Sequence, residues 1–156
     1  MTPESLAALG AFVVFNFAAA SSGAVFKPGA WYEGLAKPGW TPPNIAFPVV
    51  WTVLFLLNAV AGWLVWEASG PAAWPALAAY AVSLVLNAGW SALFFGAKRM
   101  DAALAEVAAL FASIALVAVL FAAHSRTAAA LQLPYLAWVS LAAVLNYRLL
   151  RMNPQG

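Results

Sequence analysis

The residues of this sequence that could do chemistry are side-chain amides and aromatic rings set inside long uncharged runs. They are Asn16, Trp51, Asn58, Asn87, Trp90, Tyr135, Trp138 and Asn146. Few residues could support thiolate, acid–base or metal chemistry, since the 156 residues include no cysteine, one histidine and five acidic residues. No triad, metal-ligand cluster or pair of carboxylates is recognisable, so the set is typical of a binding site and not of a conventional catalytic centre.

The spacing of these residues places them on shared helix faces. The sets that share a face are Trp51 with Asn58, Asn87 with Trp90, and Tyr135 with Trp138 and Ala142. Three large rings in a small bundle are hard to pack without a ligand, so we expect Trp51, Trp90 and Trp138 to line a pocket. Asn16, Asn58 and Asn146 are better explained as interhelical hydrogen-bonding groups.

A membrane is the solvent that suits the elements carrying these residues. The chain is 65% hydrophobic and 8% charged, whereas soluble domains carry about 25% charged residues. Five apolar runs supply the ~20 residues that cross a hydrocarbon core as a helix; they cover 5–26, 46–66, 73–96, 102–123 and 127–147. The sequence predicts an all-α integral membrane protein, one domain built as a five-transmembrane-helix bundle.

The connections between the predicted spans carry an uneven charge. One side holds six of the seven basic residues, Lys27, Lys37, Lys98, Arg99, Arg148 and Arg151, and the other holds only Arg126. The positive-inside rule therefore predicts an N-terminus outside and a C-terminus on the cytoplasmic or equivalent side.

The longest connection is a Pro/Trp-rich loop between the first two helices that includes KPGWTPPNI. Pro38, Pro42 and Pro43 restrict the backbone and lower the entropy lost when the loop becomes ordered. Trp31 and Tyr32 suit an interfacial aromatic belt equally well. We expect the loop to be a stiff lid over the bundle, with Trp40 facing the cavity.

Three stretches of the sequence resemble one family. WYEGLAKPGWTPPNIAFPVVW, LNAGWSALFFGAKRM and LPYLAWVSLAAVLNYRLLRMN occur in this order and are similar to the motifs of the TspO/translocator protein family, also called tryptophan-rich sensory proteins. The resemblance covers nearly the whole chain and implies the same five-span topology.

The resemblance implies a lipophilic ligand. Members of this family bind porphyrins, with protoporphyrin IX as a typical case, and animal members also bind cholesterol. The family's ligand-binding positions fall here on Trp40, Trp51, Asn87, Trp90, Tyr135, Trp138, Ala142 and Leu145. Gly39 and Ile45 depart from the pattern, since relatives often carry serine and tryptophan there. The lack of cysteine and of a central histidine leaves no obvious axial ligand for haem iron, so we expect a metal-free porphyrin and no required cofactor.

Two functions from different classes fit these residues. The first is a membrane receptor that binds porphyrins and serves tetrapyrrole transport or regulation. The second, implied by the resemblance, is an enzyme that degrades porphyrin in light with Trp51 and Trp138. A third possibility, a true transporter with a path open to both sides, has less support, because the sequence shows no pair of broken helices in two repeated halves.

The remaining expectations concern lipids and neighbours. Leu145, Tyr147 and Arg151 fit a sterol-contact pattern, which the family places at this point of the chain. A sterol or hopanoid is therefore an expected partner in addition to bilayer lipid, and a nucleic acid is not expected as a partner.

Ala88, Ala92 and Gly96 form a small-residue stripe that suits a homodimer face or an internal contact. We interpret Glu106 as a structural residue that reaches toward water near the headgroups.

Overall fold

The computed structural model describes residues 1–154, and within that range the chain forms helices and no strands. The helices are α1 (Pro3–Val25), α2 (Ala30–Glu33), α3 (Ala46–Ser69), α4 (Trp74–Ser91), α5 (Met100–Ala122), α6 (Arg126–Ala130) and α7 (Leu133–Met152). A 3₁₀ turn, Gly70–Ala73, joins α3 to α4, and a π-helical turn, Ala92–Gly96, extends α4. The predicted all-α fold is confirmed.

Five helices are long enough to cross a membrane, although they form four continuous helical segments in the described range. These segments are Pro3–Val25, Ala46–Gly96, Met100–Ala122 and Arg126–Met152. The second has 51 residues, which would reach about 76 Å as one straight helix. It turns back at Gly70, whose φ of 52° is a conformation that glycine adopts readily. The Tyr80 hydroxyl donates to the Asn58 carbonyl at 3.2 Å, which joins α4 to α3 across the turn.

Successive crossing helices run in opposite directions. The N-terminal end of α1, the Gly70 turn and the α5–α6 connection lie at one end of the bundle. There Trp63 Nε1 donates to Ser5 Oγ at 3.3 Å and His124 Nδ1 lies 2.8 Å from Ser69 Oγ. The long loop, the α4–α5 connection and the end of α7 lie at the other end, where six of the seven basic residues are found.

Packing order around the bundle leaves space in its middle. α1 packs against both α3 and α4, α4 against α5, and α5 against α7, while α7 makes only slight contact with α3. The order is therefore a ring of five helices and not a filled layer. The ring encloses a cavity.

The last crossing helix begins and ends later than the sequence predicts. Expected over 127–147, it starts at Leu133 and continues to Met152, after the short helix α6. Pro134 lies in the first turn of α7, and since proline has no backbone N–H to donate to the preceding turn, the helix restarts there. Arg148 and Arg151 do not end the helix, because their side chains extend outward from its last turns.

Candidate functional site

A cavity of about 460 Å³ lies inside the helix ring. Residues from α1, α3, α4, α5 and α7 line it, together with parts of the long loop. Small-molecule sites usually measure about 300–1,000 Å³, so its size suits one organic ligand. The lining reaches exposed residues at Lys27, Pro28 and Asn44, which we call the mouth.

The walls of the cavity carry flat rings held by their neighbours. Trp51 on α3 lies 5.6 Å from Phe55 between ring centroids and meets Tyr135 edge-on at 5.9 Å. Trp90 on α4 stacks on Phe94 at 5.0 Å. Two indole rings from different helices therefore face one cavity in fixed orientations, which suits a flat apolar ligand.

The indole N–H of Trp90 fixes that ring from behind. It donates to Asn146 Oδ1 at 3.3 Å, and Asn146 Nδ2 in turn donates to the Met100 carbonyl at 2.8 Å. Asn146 thus links α4, α5 and α7 by hydrogen bonds, as expected from the sequence.

Polar side chains that line the cavity bond largely to the protein itself. Asn87 Nδ2 donates to the Tyr135 hydroxyl at 2.8 Å, and Thr52 Oγ1 donates to the Pro48 carbonyl at 2.8 Å. Ser22 Oγ donates to the Ala88 carbonyl at 3.0 Å. Since these donors are already used, the cavity presents a mainly apolar surface to a ligand.

A buried polar network lies outside the lining of the cavity. Asn58 Nδ2 donates to Asn16 Oδ1 at 2.9 Å, and Asn16 Nδ2 donates to the Tyr80 hydroxyl. Gln132 Nε2 donates to Asn58 Oδ1 at 3.0 Å. These four buried side chains join α1, α3 and α4 to the segment preceding α7. Asn16 and Asn58 are thus interhelical groups, as predicted from the sequence. Gln132 was not predicted, because no charge pattern distinguishes it from a loop residue.

Four of the eight predicted site residues line the cavity: Trp51, Asn87, Trp90 and Ala142. Tyr135 lies behind that lining, where it contacts Asn87 and Trp51. Leu145 is 5% exposed and packs in a core cluster with Tyr32 and Phe94.

Trp138 lies outside the lining. It meets Phe47 edge-on at 5.8 Å, and Phe47 is the residue that faces the cavity. Trp138 borders instead a groove between α3 and α7, opposite Val50 and Val53, and its buried indole N–H has no hydrogen-bond partner within the described residues.

The long loop covers the mouth end of the cavity, but with residues other than the one expected. Tyr32 on α2 lines the cavity and packs edge-on against Phe95 at 5.5 Å. Burial of Tyr32 raises the pKa of its phenol, which therefore stays neutral. Trp40 is 45% exposed and does not line the cavity.

The loop is tied to the end of α7 by one side chain that the sequence analysis missed. Asn153 Oδ1 accepts from the Ala36 N–H at 2.9 Å, and its Nδ2 donates to the Ala36 carbonyl at 3.0 Å. Further along, the Thr41 N–H bonds to the Pro38 carbonyl at 3.0 Å to form a turn. The loop is thus held in place before a ligand binds.

Phe47 and Phe55 were also missed, although a signal for them exists. Together with Trp51 they stand four residues apart on α3 and line the cavity, a spacing that places three rings along one helix face.

Residues of the sterol-contact pattern do not share one surface. Leu145 is buried, whereas Tyr147 is 48% exposed and Arg151 is exposed. Tyr147 and Arg151 are four residues apart and lie on one outward face of α7. A lipid outside the bundle could meet only these two.

The small-residue stripe on α4 faces α1. The Ala88 carbonyl accepts from Ser22, and a Cβ on Gly96 would lie 2.7 Å from the Phe26 ring. Ala88 and Gly96 thus make an internal contact with α1 and the residue that follows it.

Glu106 does not reach water as we expected. Both of its carboxylate oxygens are buried and have no hydrogen-bond partner among the described residues. A Cβ added to Gly89 would lie 4.0 Å from Glu106 Oε1, so the carboxylate faces α4. No group of three or more His, Cys, Asp or Glu residues that could hold a metal ion occurs between residues 1 and 154.

Comparison with known proteins gives one consistent match. The family model described as the TspO/MBR family matches residues 8–152. Protein CrtK from Rhodobacter capsulatus is 36% identical over 155 residues, which cover 96% of this chain and 95% of that protein. The tryptophan-rich sensory protein of Cereibacter sphaeroides is 40% identical over 136 residues, 87% of this chain and 85% of its own. The human translocator protein is 36% identical over 126 residues, 79% of this chain and 75% of its own.

Proposed function

Because the chain belongs to the TspO/MBR family and is a multi-pass integral membrane protein, we propose that it is a membrane receptor for porphyrins of the protoporphyrin IX type. Its role is in the sensing or transport of such molecules, as the names of its relatives, sensory protein and translocator protein, suggest.

The observation that carries this proposal is the pair of indole rings, Trp51 and Trp90, on one apolar cavity of about 460 Å³. A porphyrin is a flat aromatic ring system, and flat rings gain favourable contacts with aromatic side chains that burial alone does not supply. Because both indoles are held by neighbouring groups, little side-chain entropy is lost when a ligand binds.

The lining also favours a metal-free ring. Among the described residues around the cavity there is no histidine, cysteine or methionine, the side chains that most often ligate haem iron. A porphyrin without iron needs no axial ligand and is held by shape and stacking.

A porphyrin titration tests the proposal. Purified protein in a neutral detergent is titrated with protoporphyrin IX in the dark while tryptophan fluorescence is followed. We expect saturable quenching with one site per chain, reduced in the double variant Trp51→Phe/Trp90→Phe. Quenching that never saturates, or that is unchanged in the double variant, would contradict a site at these rings.

A second function, light-dependent porphyrin breakdown, is favoured by the position of Trp51. An indole in the cavity wall is in contact with a bound chromophore and could exchange an electron with it after light absorption. Trp138 is less suited, since Phe47 lies between it and the cavity. Illumination of the complex should then give a product with a shifted spectrum, more slowly in Trp51→Phe than in Trp138→Phe. Equal bleaching with and without protein would remove this function.

Sterol-like lipids form a separate proposed partner class. Tyr147 and Arg151 offer a ring and a cation on the outer face of α7, at the end of the bundle that we propose to be cytoplasmic. The test is the crosslinking of a photoactivatable sterol to α7, measured in the parent and in the double variant Tyr147→Ala/Arg151→Ala. Equal crosslinking in the two proteins would argue against sterol contact at these residues.

A further inference from the structure

Lys27 stands at the mouth of an otherwise uncharged cavity. Of the described residues that line this cavity, Lys27 is the single charged one. It lies two residues after the end of α1 and is exposed. A ligand that fills the cavity therefore has one end near an ammonium group and its body among apolar side chains.

The charge of Lys27 is not neutralised by the protein. Within residues 1–154 the structure contains one ion pair, between Arg99 and Asp101 at 2.8 Å, and Lys27 Nζ takes part in no hydrogen bond there. Lys37 in the same loop differs, since its Nζ donates to the Glu33 and Leu35 carbonyls at 3.1 and 3.3 Å. Lys37 also lies 4.6 Å above the centre of the Tyr32 ring. One lysine of the loop is occupied and the other is free to bind.

The backbone around Lys27 is held in place. The Phe26 N–H donates to the Ser22 carbonyl at 2.7 Å, and the Phe26 ring packs on Gly96. Pro28 follows Lys27 and also lines the cavity, and a proline restricts the residue before it to extended conformations. The Lys27 side chain thus starts from a fixed point at the mouth and keeps its own rotational freedom.

We propose that Lys27 binds the carboxylate of an acidic lipophile and so orients the ligand, with its apolar body in the cavity and its acidic end at the mouth. For the porphyrin of the proposed function, on which this inference rests, the acidic end is a propionate side chain. An ion pair this exposed adds little energy, so we expect three- to fivefold in affinity and not more.

The test compares protoporphyrin IX with its dimethyl ester, which keeps the ring and lacks the charges. Both are titrated against the parent protein and against Lys27→Met and Lys37→Met in dodecyl maltoside, at low and high salt. The parent should bind the acid about three- to fivefold more tightly than the ester, with a preference that salt weakens. Lys27→Met should lose the preference by weakening the acid alone, whereas Lys37→Met should keep it.

The outcomes separate this inference from the proposed function. If the parent binds acid and ester equally, or if Lys27→Met keeps the preference, the role of Lys27 is wrong while porphyrin binding stands. If neither ligand binds, the proposed function fails and this inference fails with it. If Lys27→Met lowers the binding of phosphatidylglycerol and leaves the affinities for acid and ester as in the parent, Lys27 pairs with a lipid phosphate and not with the ligand, which overturns the proposal.

Discussion

Asn58 Nδ2 donates to Asn16 Oδ1 at 2.9 Å in the centre of the bundle. Asn58 also accepts from Gln132 at 3.0 Å through its side chain and from Tyr80 at 3.2 Å through its carbonyl. One residue of α3 thus joins three other parts of the chain. Its side chain has few alternatives, because an apolar interior offers no water to replace a lost partner.

Replacement of Asn58 by leucine should destabilise the fold. It leaves the Gln132 donor and the Asn16 acceptor buried and unpaired, at a cost of about 1–2 kcal/mol. Unfolding in mixed micelles with increasing SDS, followed by circular dichroism, measures this. Ser140→Ala is the control, since that hydroxyl is exposed and bonds only within its own helix. Equal stability of the two variants would show that the network adds nothing.

Gly62 should not tolerate a methyl group. A Cβ at this position would lie 2.7 Å from the Phe12 ring and 3.1 Å from Tyr80, so the Phe12 ring or the helix that carries it must move, at about 1–3 kcal/mol. The matched variant is Gly10→Ala, where nothing lies within 4 Å. In the same unfolding assay, Gly62→Ala should be less stable than the parent and Gly10→Ala about as stable as the parent. The reverse order would contradict the packing of α1 on α3.

Asn153 should control how quickly a ligand leaves. Asn153→Ala removes both hydrogen bonds to Ala36 and frees the loop that carries Tyr32 over the cavity. We expect the dissociation rate of bound porphyrin, measured by stopped-flow displacement, to rise about two- to fivefold with the helices intact. The paired change Pro42→Gly/Pro43→Gly should act in the same direction by loosening the loop backbone. Arg151→Ala, a change at a nearby exposed residue, is the control. If the dissociation rate is the same as in the parent for all three variants, the loop is not a lid.

Trp51 and Trp138 should differ in their effect on binding. Trp51 lines the cavity and Trp138 lies behind Phe47. Trp51→Phe should therefore lower the affinity for protoporphyrin IX about three- to tenfold, and Trp138→Phe should lower it less than twofold. Equilibrium titrations of both variants measure this, with helix content checked by circular dichroism. A larger loss in Trp138→Phe would move the ligand to the groove between α3 and α7.

The fold could be predicted from the sequence because apolar runs of membrane length permit few structures other than helices. The site could be predicted only in part. On α7 the lining residues are Val139 and Ala142, and at about 100° per residue a neighbouring position such as Trp138 already points elsewhere. A shared helix face was not a sufficient criterion on α7, since Trp138 and Ala142 are four residues apart and only Ala142 lines the cavity. The rotation of α7 depends on its packing against α5.

The loop shows the same limit. The position of the loop over the bundle could be predicted from its place in the chain. Which of its residues lines the cavity could not be predicted. Tyr32 lines the cavity because it packs on Phe94 and Phe95 and because Asn153 holds Ala36. Those partners lie more than 60 residues away in the sequence, where local patterns give no information.

Filling the cavity tests the central claim most directly. Gly23 lines the cavity, and a Cβ there would meet only Ser91 Oγ, at 3.8 Å, so a side chain has room to start and Gly23→Phe should place a ring in the ligand's space. Gly10→Phe, on the same helix and facing open space, is the matched control. In a dark titration with protoporphyrin IX, the parent and Gly10→Phe should bind one equivalent, and Gly23→Phe should bind at least about tenfold more weakly. Equal affinity of all three proteins would contradict a porphyrin site in this cavity.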